Sequence, residues 1–306
     1  MIDIRIIFLG TSAAIPTNQR GLSSIAILRK DEVMIFDAGE GMQVKYMCAN
    51  ISVNKKMKIF ITHMHGDHCI GILGLLQTLS LMGRKKPIDL YGEPRLVKFI
   101  IENIKIIKFG TRFNINVHSI WDEGIVVKEK EYQIKCCKTI HSTESFAYLL
   151  EEFERPGIFL VEKARKIGIP EGEMYNKLQH GKNIIFNKKI IYSKELTGPK
   201  RKGRKIGISG DTRTSKKIQD FFKGCDLLIF ESTYMNKEYK KAVESMHSTS
   251  VEVANLAKNA RIKKLVLTHF SSRYKDLRYM LMETRKIFRN TCVANDLDTI
   301  IVPYIK

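Results

Sequence analysis

The most constraining feature of the sequence is the segment KIFITHMHGDHCIG at residues 58–71. The apolar stretch Lys58–Thr62 predicts a buried strand that runs directly into three histidines and one aspartate within six residues. Such polar side chains are costly to bury at a strand end unless something neutralises them. Because imidazole and carboxylate groups are good ligands for zinc, iron and manganese, the segment predicts a metal site.

The spacing of this segment divides its polar side chains into two pairs. His63 and His65 can project from one side of an extended backbone. Gly66 permits a sharp bend, after which Asp67 and His68 can face a second ion. The segment therefore offers two ligands to each of two neighbouring metals, and the alternative is a coincidental polar loop.

Further candidate residues lie far along the chain, just past the ends of other predicted strands. They are His141, Asp211 and His269. Because α/β proteins collect functional groups at the carboxyl ends of strands, these side chains are expected to join the first segment in one site. His247 opens a predicted helix as HSTS and is a candidate acid or phosphate clamp that Glu231 could orient. Its alternative role is capping of that helix together with Ser248.

Apolar periodicity predicts two mixed sheets packed together with helices outside, because strands follow one another in the first half and alternate with helices in the second. The predicted strands are Ile4–Leu9, Ser24–Leu28, Val33–Phe36, Lys58–Thr62, Ile88–Tyr91, Phe113–Ile120, Glu131–Thr139, Phe146–Glu152, Lys205–Ser209, Leu227–Glu231, Lys264–Thr268 and Thr299–Val302. The predicted helices are Met42–Cys48, Ile70–Met82, Arg95–Lys108, Lys216–Phe222, Thr249–Lys258 and Leu277–Arg289.

Residues 153–196 interrupt this pattern with several Gly and Pro residues and many Lys residues, and TGPKRKGRK at 197–205 adds five basic residues in nine. This composition predicts a structured insertion or a protruding arm, which is either a solvated excursion or a grip for a large anionic substrate. The whole chain has 52 Lys and Arg against 32 Asp and Glu, a net charge of +20. That excess fits nucleic acid, an anionic membrane surface or a lysine-rich proteome.

The sequence favours neither a membrane segment nor an export signal. No apolar run reaches the roughly 18–20 residues that span a bilayer. The N-terminal stretch contains Asp3 and Arg5 and is more typical of a first strand than of a signal peptide. We therefore expect a cytoplasmic protein with no membrane partner, whose 306 residues form a single domain over 1–306.

These residues, in this order, resemble the metallo-β-lactamase superfamily over essentially the whole chain. The resemblance implies an α/β protein built as a four-layer αββα sandwich, here with a protruding arm insertion. It also implies two zinc ions per subunit, and Mn²⁺ suits the same ligands. The implied ligands are His63, His65 and His141 for one ion, Asp67, His68 and His269 for the other, and Asp211 bridging both.

Other segments are similar to tRNase Z, the endonuclease family that trims the 3′ trailer from precursor tRNA. They are FLGTSAAIPTNQRG at 8–21, FDAGEGMQ at 36–43, ERPGIFLVEKARKIGIPEGEMYNKLQHG at 154–181 and, in the second half, SGDTR, FESTY, HSTS and THFSSRY. The first segment keeps Pro16 and Arg20 of that family's Pro-x-Lys-x-Arg-Asn loop, whereas Asn18 and Gly21 depart from it.

The resemblance implies a homodimeric endoribonuclease that acts on precursor tRNA and leaves a 3′-hydroxyl on the tRNA and a 5′-phosphate on the trailer. Asp67 and His247 are the expected catalytic residues, and residues 153–196 are the expected flexible tRNA-binding arm. The expected substrate contacts are Arg20, Ser271 and Arg273. Two alternatives stay open: another dinuclear metallo-hydrolase that acts on a small ester, thioester or phosphodiester, and a catalytically inactive RNA-binding subunit.

Overall fold

The structure is a computed structural model that describes residues 3–304. The chain divides into two compact units. The larger unit contains the residues up to Glu151 together with Lys205–Pro303. The smaller unit contains Glu152–Arg204 and, from Tyr304, the end of the chain. The predicted arm 153–196 falls inside the smaller unit, and its action as an arm stays a prediction.

The strands of the described residues are β1 Ile4–Gly10, β2 Ser12–Ala13, β3 Ser24–Arg29, β4 Glu32–Phe36, β5 Lys56–Phe60, β6 Ile88–Gly92, β7 Ile115–Ser119, β8 Gly124–Lys128, β9 Tyr132–Lys138, β10 Phe146–Glu152, β11 Ile184–Phe186, β12 Lys189–Ile191, β13 Lys205–Ile208, β14 Leu227–Glu231, β15 Leu265–Thr268, β16 Phe270–Ser271, β17 Thr291–Val293 and β18 Thr299–Val302. The helices are α1 Met42–Cys48, α2 Gly66–Cys69, α3 Gly71–Leu81, α4 Arg95–Ile106, α5 Val161–Lys166, α6 Glu173–Gln179, α7 Ser193–Leu196, α8 Lys216–Phe221, α9 Tyr239–Glu244, α10 Ser250–Asn259 and α11 Arg278–Ile287. A 3₁₀ turn covers Asn236–Glu238.

Two seven-stranded mixed sheets form the larger unit. The first has the order β18-β1-β3-β4-β5-β6-β7, and the second has the order β17-β15-β14-β13-β10-β9-β8. Strands β4 to β7 run parallel to one another, as do β13, β14, β15 and β17. The carboxyl ends of β5, β13, β14 and β15 therefore provide the loops on which functional side chains can collect.

The four layers follow from strands that are apolar on both faces. In strand β1, with the sequence IRIIFLG, Ile6 and Phe8 pack in the core between the sheets, whereas Ile7 and Leu9 pack under the helices of the first sheet. Both faces of the strand are buried, which is why both carry apolar side chains. The outer face of the second sheet is covered by α8, α10 and α11. The predicted αββα sandwich is confirmed.

The smaller unit has a core of its own. Its buried side chains come from α5, α6, α7, the hairpin β11–β12 and the loop after α5, and they are Ala164, Ile169, Leu178, Ile184 and Leu196. Among the residues that the structure describes, no helix is both long enough and apolar enough to span a lipid bilayer.

Candidate metal centre

The predicted ligands lie on loops that follow strands of the larger unit. Strand β5 ends at Phe60, two residues earlier than predicted, and Ile61 and Thr62 lead from it to His63. His65 is extended and precedes helix α2, which carries Asp67 and His68 in its single turn. The remaining predicted ligands follow β9, β13 and β15, and they are His141, Asp211 and His269.

Three of the predicted ligands form a first cluster. His63 Nε2 lies 3.0 Å from His65 Nδ1, and His141 Nε2 lies 3.2 Å from the same His65 atom. Burial, assisted by the nearby imidazole of His68, lowers the pKa of His63. Burial also lowers the pKa of His141. Neutral imidazoles with converging nitrogens are what a metal ion requires.

A second cluster contains the other three. The Nε2 atoms of His68 and His269 are 3.3 Å apart, and Asp67 Oδ2 lies 3.5 Å from the first and 3.6 Å from the second. Burial would raise the pKa of Asp67, but hydrogen bonds from His269 and His68 hold it below its usual range. The carboxylate is therefore ionised, as a ligand must be.

Asp211 lies between the two clusters, and one of its oxygen atoms indicates whether the site fits metal ions. Its Oδ2 is 3.2 Å from His68 Nε2, 3.3 Å from His269 Nε2 and 3.8 Å from His63 Nε2. Its Oδ1 is buried and has no hydrogen-bond partner. A buried, ionised oxygen without a partner is costly, and a cation is the partner that this donor set accepts. The side chains together fit a metal-binding site.

The outward-facing ring nitrogens are hydrogen-bonded, which leaves the inward-facing ring nitrogens free to bind a metal ion. In four of the histidines, Nδ1 is hydrogen-bonded to a neighbouring oxygen, so that Nε2 points into the cluster. The pairs are His68 with Asp37 Oδ2 at 2.7 Å, His63 with Thr62 Oγ1 at 2.9 Å, His269 with Thr233 Oγ1 at 2.9 Å and His141 with the Met246 carbonyl at 3.2 Å. Such outer contacts fix the tautomer and orientation of metal-ligating histidines.

Asp37 is a functional candidate that sequence reasoning missed. It is 3% exposed and adopts a left-handed backbone with φ of 60°. Its Oδ1 accepts the Thr62 backbone N–H at 2.7 Å, and its Oδ2 accepts the Thr62 hydroxyl at 2.9 Å besides the His68 ring. The sequence signal that could have identified Asp37 is the FDAGEGMQ segment. This segment carries part of the family resemblance, but it does not show which histidine ligand Asp37 contacts.

His247 and Glu231 form an acid–base pair beside the clusters. His247 Nδ1 is 2.8 Å from Glu231 Oε1. Glu231 also accepts the backbone N–H of Thr212 at 2.9 Å and the Thr233 hydroxyl at 2.7 Å, which fixes its orientation. Burial would lower the pKa of His247, but the Glu231 carboxylate outweighs it and raises that pKa to about 9. The imidazole is therefore protonated at neutral pH.

The loop that carries His247 is anchored independently. Thr249 is the N-cap of α10, and it forms a capping box with Glu252. The capping role that was the alternative for His247 is therefore taken by Thr249. Arg213 donates to the His247 carbonyl at 2.5 Å and is ion-paired with Glu252. These contacts hold His247 at the edge of the site.

A cavity of about 450 Å³ opens beside both clusters, and Asp67, His247, Ser271 and Arg273 are among its lining residues.

Arg20, the other predicted substrate contact, is not among the residues that line this cavity. Its guanidinium donates to the Thr11 hydroxyl at 2.6 Å and to the carbonyls of the Ala294 backbone and the Asn295 side chain at 2.8 and 2.7 Å. Its contact with substrate stays a prediction.

The comparisons with known proteins agree with this geometry. A ribonuclease Z of Nitrosopumilus maritimus is 50% identical over 294 residues, which cover 96% of this chain and 98% of the relative. The chain belongs to the ribonuclease Z family. The crystal structure of human tRNase Z, short form, superposes with a TM-score of 0.72 at 27% identity and covers 98% of this chain and 99% of that one.

Two further similarities extend beyond ribonuclease Z. A family profile described as Anti-Pycsar protein Apyc1 matches residues 4–154, which include His141 but end before Asp211, His247 and His269. A crystal structure of Zn²⁺-bound PqqB from Methylobacterium extorquens superposes with a TM-score of 0.64 at 13% identity and covers 97% of this chain and 99% of that one. At that identity it shows the fold alone.

Proposed function

We propose that this chain is a metal-dependent endoribonuclease that removes the 3′ trailer from precursor tRNA. The products would carry a 3′-hydroxyl on the tRNA and a 5′-phosphate on the trailer. The observation that carries the proposal is the cavity where the converging ligand clusters meet the His247–Glu231 pair. This arrangement occurs in a chain half identical to a ribonuclease Z.

The ligand set supports two Zn²⁺ ions, and Mn²⁺ suits it as well. The first ion would be held by His63, His65 and His141, the second by Asp67, His68 and His269, and Asp211 would serve both. When bound, such a pair of ions lowers the pKa of a water molecule and stabilises the charge that develops on a phosphodiester.

The protein's own residues position the water and the proton. Asp67 Oδ2 accepts the Ala14 backbone N–H at 2.9 Å, which fixes the carboxylate at the cavity wall. From this position Asp67 can orient the attacking water or take its proton. His247, with Nδ1 bound to Glu231, would keep its Nε2 proton for the departing O3′. Protonation of that atom yields the 3′-hydroxyl.

The remaining expectations concern the substrate and the assembly. Ser271 and Arg273 line the cavity and would contact phosphate oxygens. In the smaller unit Lys and Arg outnumber Asp and Glu, which supports its proposed role in binding the tRNA body.

We also propose a cytoplasmic homodimer. Exposed Val44 and Leu81, on helices α1 and α3 that pack together, support an apolar interface, which light scattering would test.

The decisive experiment incubates the purified chain with end-labelled precursor tRNA and maps the cut to the nucleotide. We expect a single cut at the start of the trailer, loss of cleavage in His63→Ala and Asp211→Asn, and no loss in His118→Ala. His118 is the matched control because it lies on β7, stacked on Tyr91 and outside both clusters. Chelation should abolish cleavage, and added Zn²⁺ should restore it.

Three results would contradict the proposal. Full turnover by metal-free protein would exclude the metal-dependent mechanism. Hydrolysis of bis(p-nitrophenyl) phosphate without a defined cut in precursor tRNA would favour another metallo-hydrolase of this fold. Binding of less than about one metal ion per chain would instead favour an inactive RNA-binding subunit.

A further inference from the structure

The lining of the cavity beside the metal centre includes side chains that neither hold metal nor transfer a proton in the proposed chemistry. They include Ala13, Ala14 and Ile15, together with Tyr234 and with Arg273, for which we propose a phosphate contact above. None of these five side chains belongs to the ligand clusters. Apolar side chains and an aromatic ring that line one cavity are surroundings in which a flat, uncharged group such as a nucleobase can bind.

Tyr234 is held rigidly next to His247. Its carbonyl accepts the Ser250 backbone N–H at 3.0 Å, and it forms an isolated β-bridge with Thr249. Its ring is half-buried, and the ring centroid lies 6.2 Å from that of His247 in an edge-on contact. These contacts anchor the Tyr234 backbone and place its ring beside the His247 imidazole.

Arg273 covers the same ring and keeps its charge available. Its guanidinium carbon lies 5.0 Å from the centroid of the Tyr234 ring. Its Nε donates to Ser271 Oγ at 3.0 Å, and among residues 3–304 it has no carboxylate in ion-pair distance. Tyr234 and Arg273 thus combine a π-face with an unpaired cation, which are the two elements that bind a nucleotide in single-stranded RNA.

The position of His247 indicates which nucleotide would bind here. This step depends on the proposed function, in which His247 protonates the departing O3′. That oxygen belongs to the last nucleotide of the tRNA, so the base of this nucleotide lies on the His247 side of the cut. We propose that the Tyr234 ring, on the face away from Arg273, is the stacking platform for that base.

The proposal has consequences for selectivity. Stacking on an aromatic ring tolerates every base because each has a π-face, and larger purines bury more area than pyrimidines. Any of the four bases is therefore accepted at this position, with a moderate preference for purines. The ring does not contact the reacting atoms, so Tyr234 is a positioning residue.

The test measures stacking directly. Two precursor RNAs carry a bridging 3′-methylene phosphonate at the cut, in which CH₂ replaces O3′ so that the P–O3′ bond to be cleaved is absent. One has the fluorescent base 2-aminopurine at the last tRNA nucleotide, and the other has it at the first trailer nucleotide. With the wild-type enzyme and with Tyr234→Phe, we expect binding to quench the first reporter. In Tyr234→Ala this quenching is lost, whereas the second reporter behaves alike in all three proteins.

Kinetics provide the second readout. Loss of one stacked base should raise the KM for unmodified precursor tRNA about 5- to 150-fold in Tyr234→Ala. Hydrolysis of bis(p-nitrophenyl) phosphate should stay near the wild-type rate. Tyr279→Ala, which removes an exposed tyrosine on α11, is the matched control. Tyr234→Leu keeps apolar bulk without a ring and should behave like Tyr234→Ala.

The outcomes separate this proposal from the one on which it depends. If binding to Tyr234→Leu quenched the first reporter as strongly as binding to the wild-type enzyme, the proposal that Tyr234 is the stacking platform would be wrong. The same holds if the signal of the trailer reporter depended on Tyr234. Neither result would bear on the ribonuclease activity. If the wild-type enzyme makes no defined cut in precursor tRNA, the proposed function itself fails, and the platform fails with it.

Discussion

Asp37 offers the sharpest test of how the metal centre is built, because one carboxylate contacts both clusters. It accepts the Nδ1–H of His68 directly, and it accepts the hydroxyl of Thr62, whose oxygen in turn contacts Nδ1 of His63. Asp37→Asn keeps the size of the side chain but replaces one acceptor oxygen by an NH₂ donor. Because Oδ1 accepts the Thr62 backbone N–H and Oδ2 accepts the other two donors, at least one of the three hydrogen bonds must then be lost.

The magnitude follows from the tautomer of His68. If its Nδ1–H faces another donor, the proton moves to Nε2, and the nitrogen that points at Asp211 and His269 can no longer bind a cation. Loss of such an outer contact typically lowers metal affinity about 10- to 100-fold, which corresponds to about 1.4–2.8 kcal/mol. We expect the upper end of this range for Asp37→Asn, because His63 loses its orientation as well.

The assay is titration of metal-free protein with Zn²⁺ in competition with a chromophoric chelator at fixed pH. Asp89→Asn is the control, because Asp89 contacts Asn116 and His118 on β7, away from the clusters. Circular dichroism verifies that both variants are folded. Binding of two zinc ions to Asp37→Asn with wild-type affinity would refute the role assigned to this residue.

Three further predictions concern catalysis, RNA binding and the smaller unit. His247→Asn removes the proton donor and should lower kcat for precursor tRNA about 10²- to 10⁴-fold without weakening Zn²⁺ binding, as steady-state kinetics and metal titration would show. If six to ten phosphates are contacted, affinity for uncleavable precursor RNA should fall about 10³- to 10⁵-fold between about 50 and 200 mM salt. A flat salt dependence in filter binding would argue against phosphate contacts. Tyr304→Ala should accelerate proteolysis of the smaller unit relative to Tyr279→Ala, because the Tyr304 ring lies between the guanidiniums of Arg155 and Arg204 at 3.4 and 3.7 Å.

The layers of the fold could be predicted because most strands are continuous apolar runs with both faces covered. The strands that were missed lack this signal. Strand β8, Gly124–Lys128, is an edge strand on which Ile125 is 53% exposed, and its pairing with β9 alone defines it. Strand β17, Thr291–Val293, has three residues and pairs only with β15. Such short edge strands depend on a tertiary partner that no local pattern shows.

The candidate ligands could be predicted because imidazoles and carboxylates at strand ends are distinctive by residue type alone. The start of the helical segment next to these ligands could not be predicted in the same way. The predicted helix Ile70–Met82 corresponds to α3, but a separate one-turn helix, α2, precedes it from Gly66 to Cys69, so Asp67 and His68 lie on a helical turn and not on a free loop. The contribution of Asp37 depends on a left-handed backbone and on the hydroxyl of Thr62. Neither is visible until the chain is folded.

The network around the clusters has an internal repetition that bears on the alternatives. Asp37 binds His68 directly and reaches His63 through the Thr62 hydroxyl. Glu231 repeats this arrangement on other residues. It binds His247 directly and reaches His269 through the Thr233 hydroxyl.

The two networks have different consequences in the proposed mechanism, in which His68 serves as a metal ligand and His247 as a proton donor. The contact with Asp37 would keep Nε2 of His68 directed at a bound cation, whereas the contact with Glu231 raises the pKa of His247, which would keep that imidazole protonated beside the cavity. An inactive RNA-binding subunit needs neither state, and the unpartnered Oδ1 of Asp211 would only destabilise it. A hydrolase of small esters needs the ligands but not the basic smaller unit. Precursor tRNA uses all three features, which is why we favour it as the substrate.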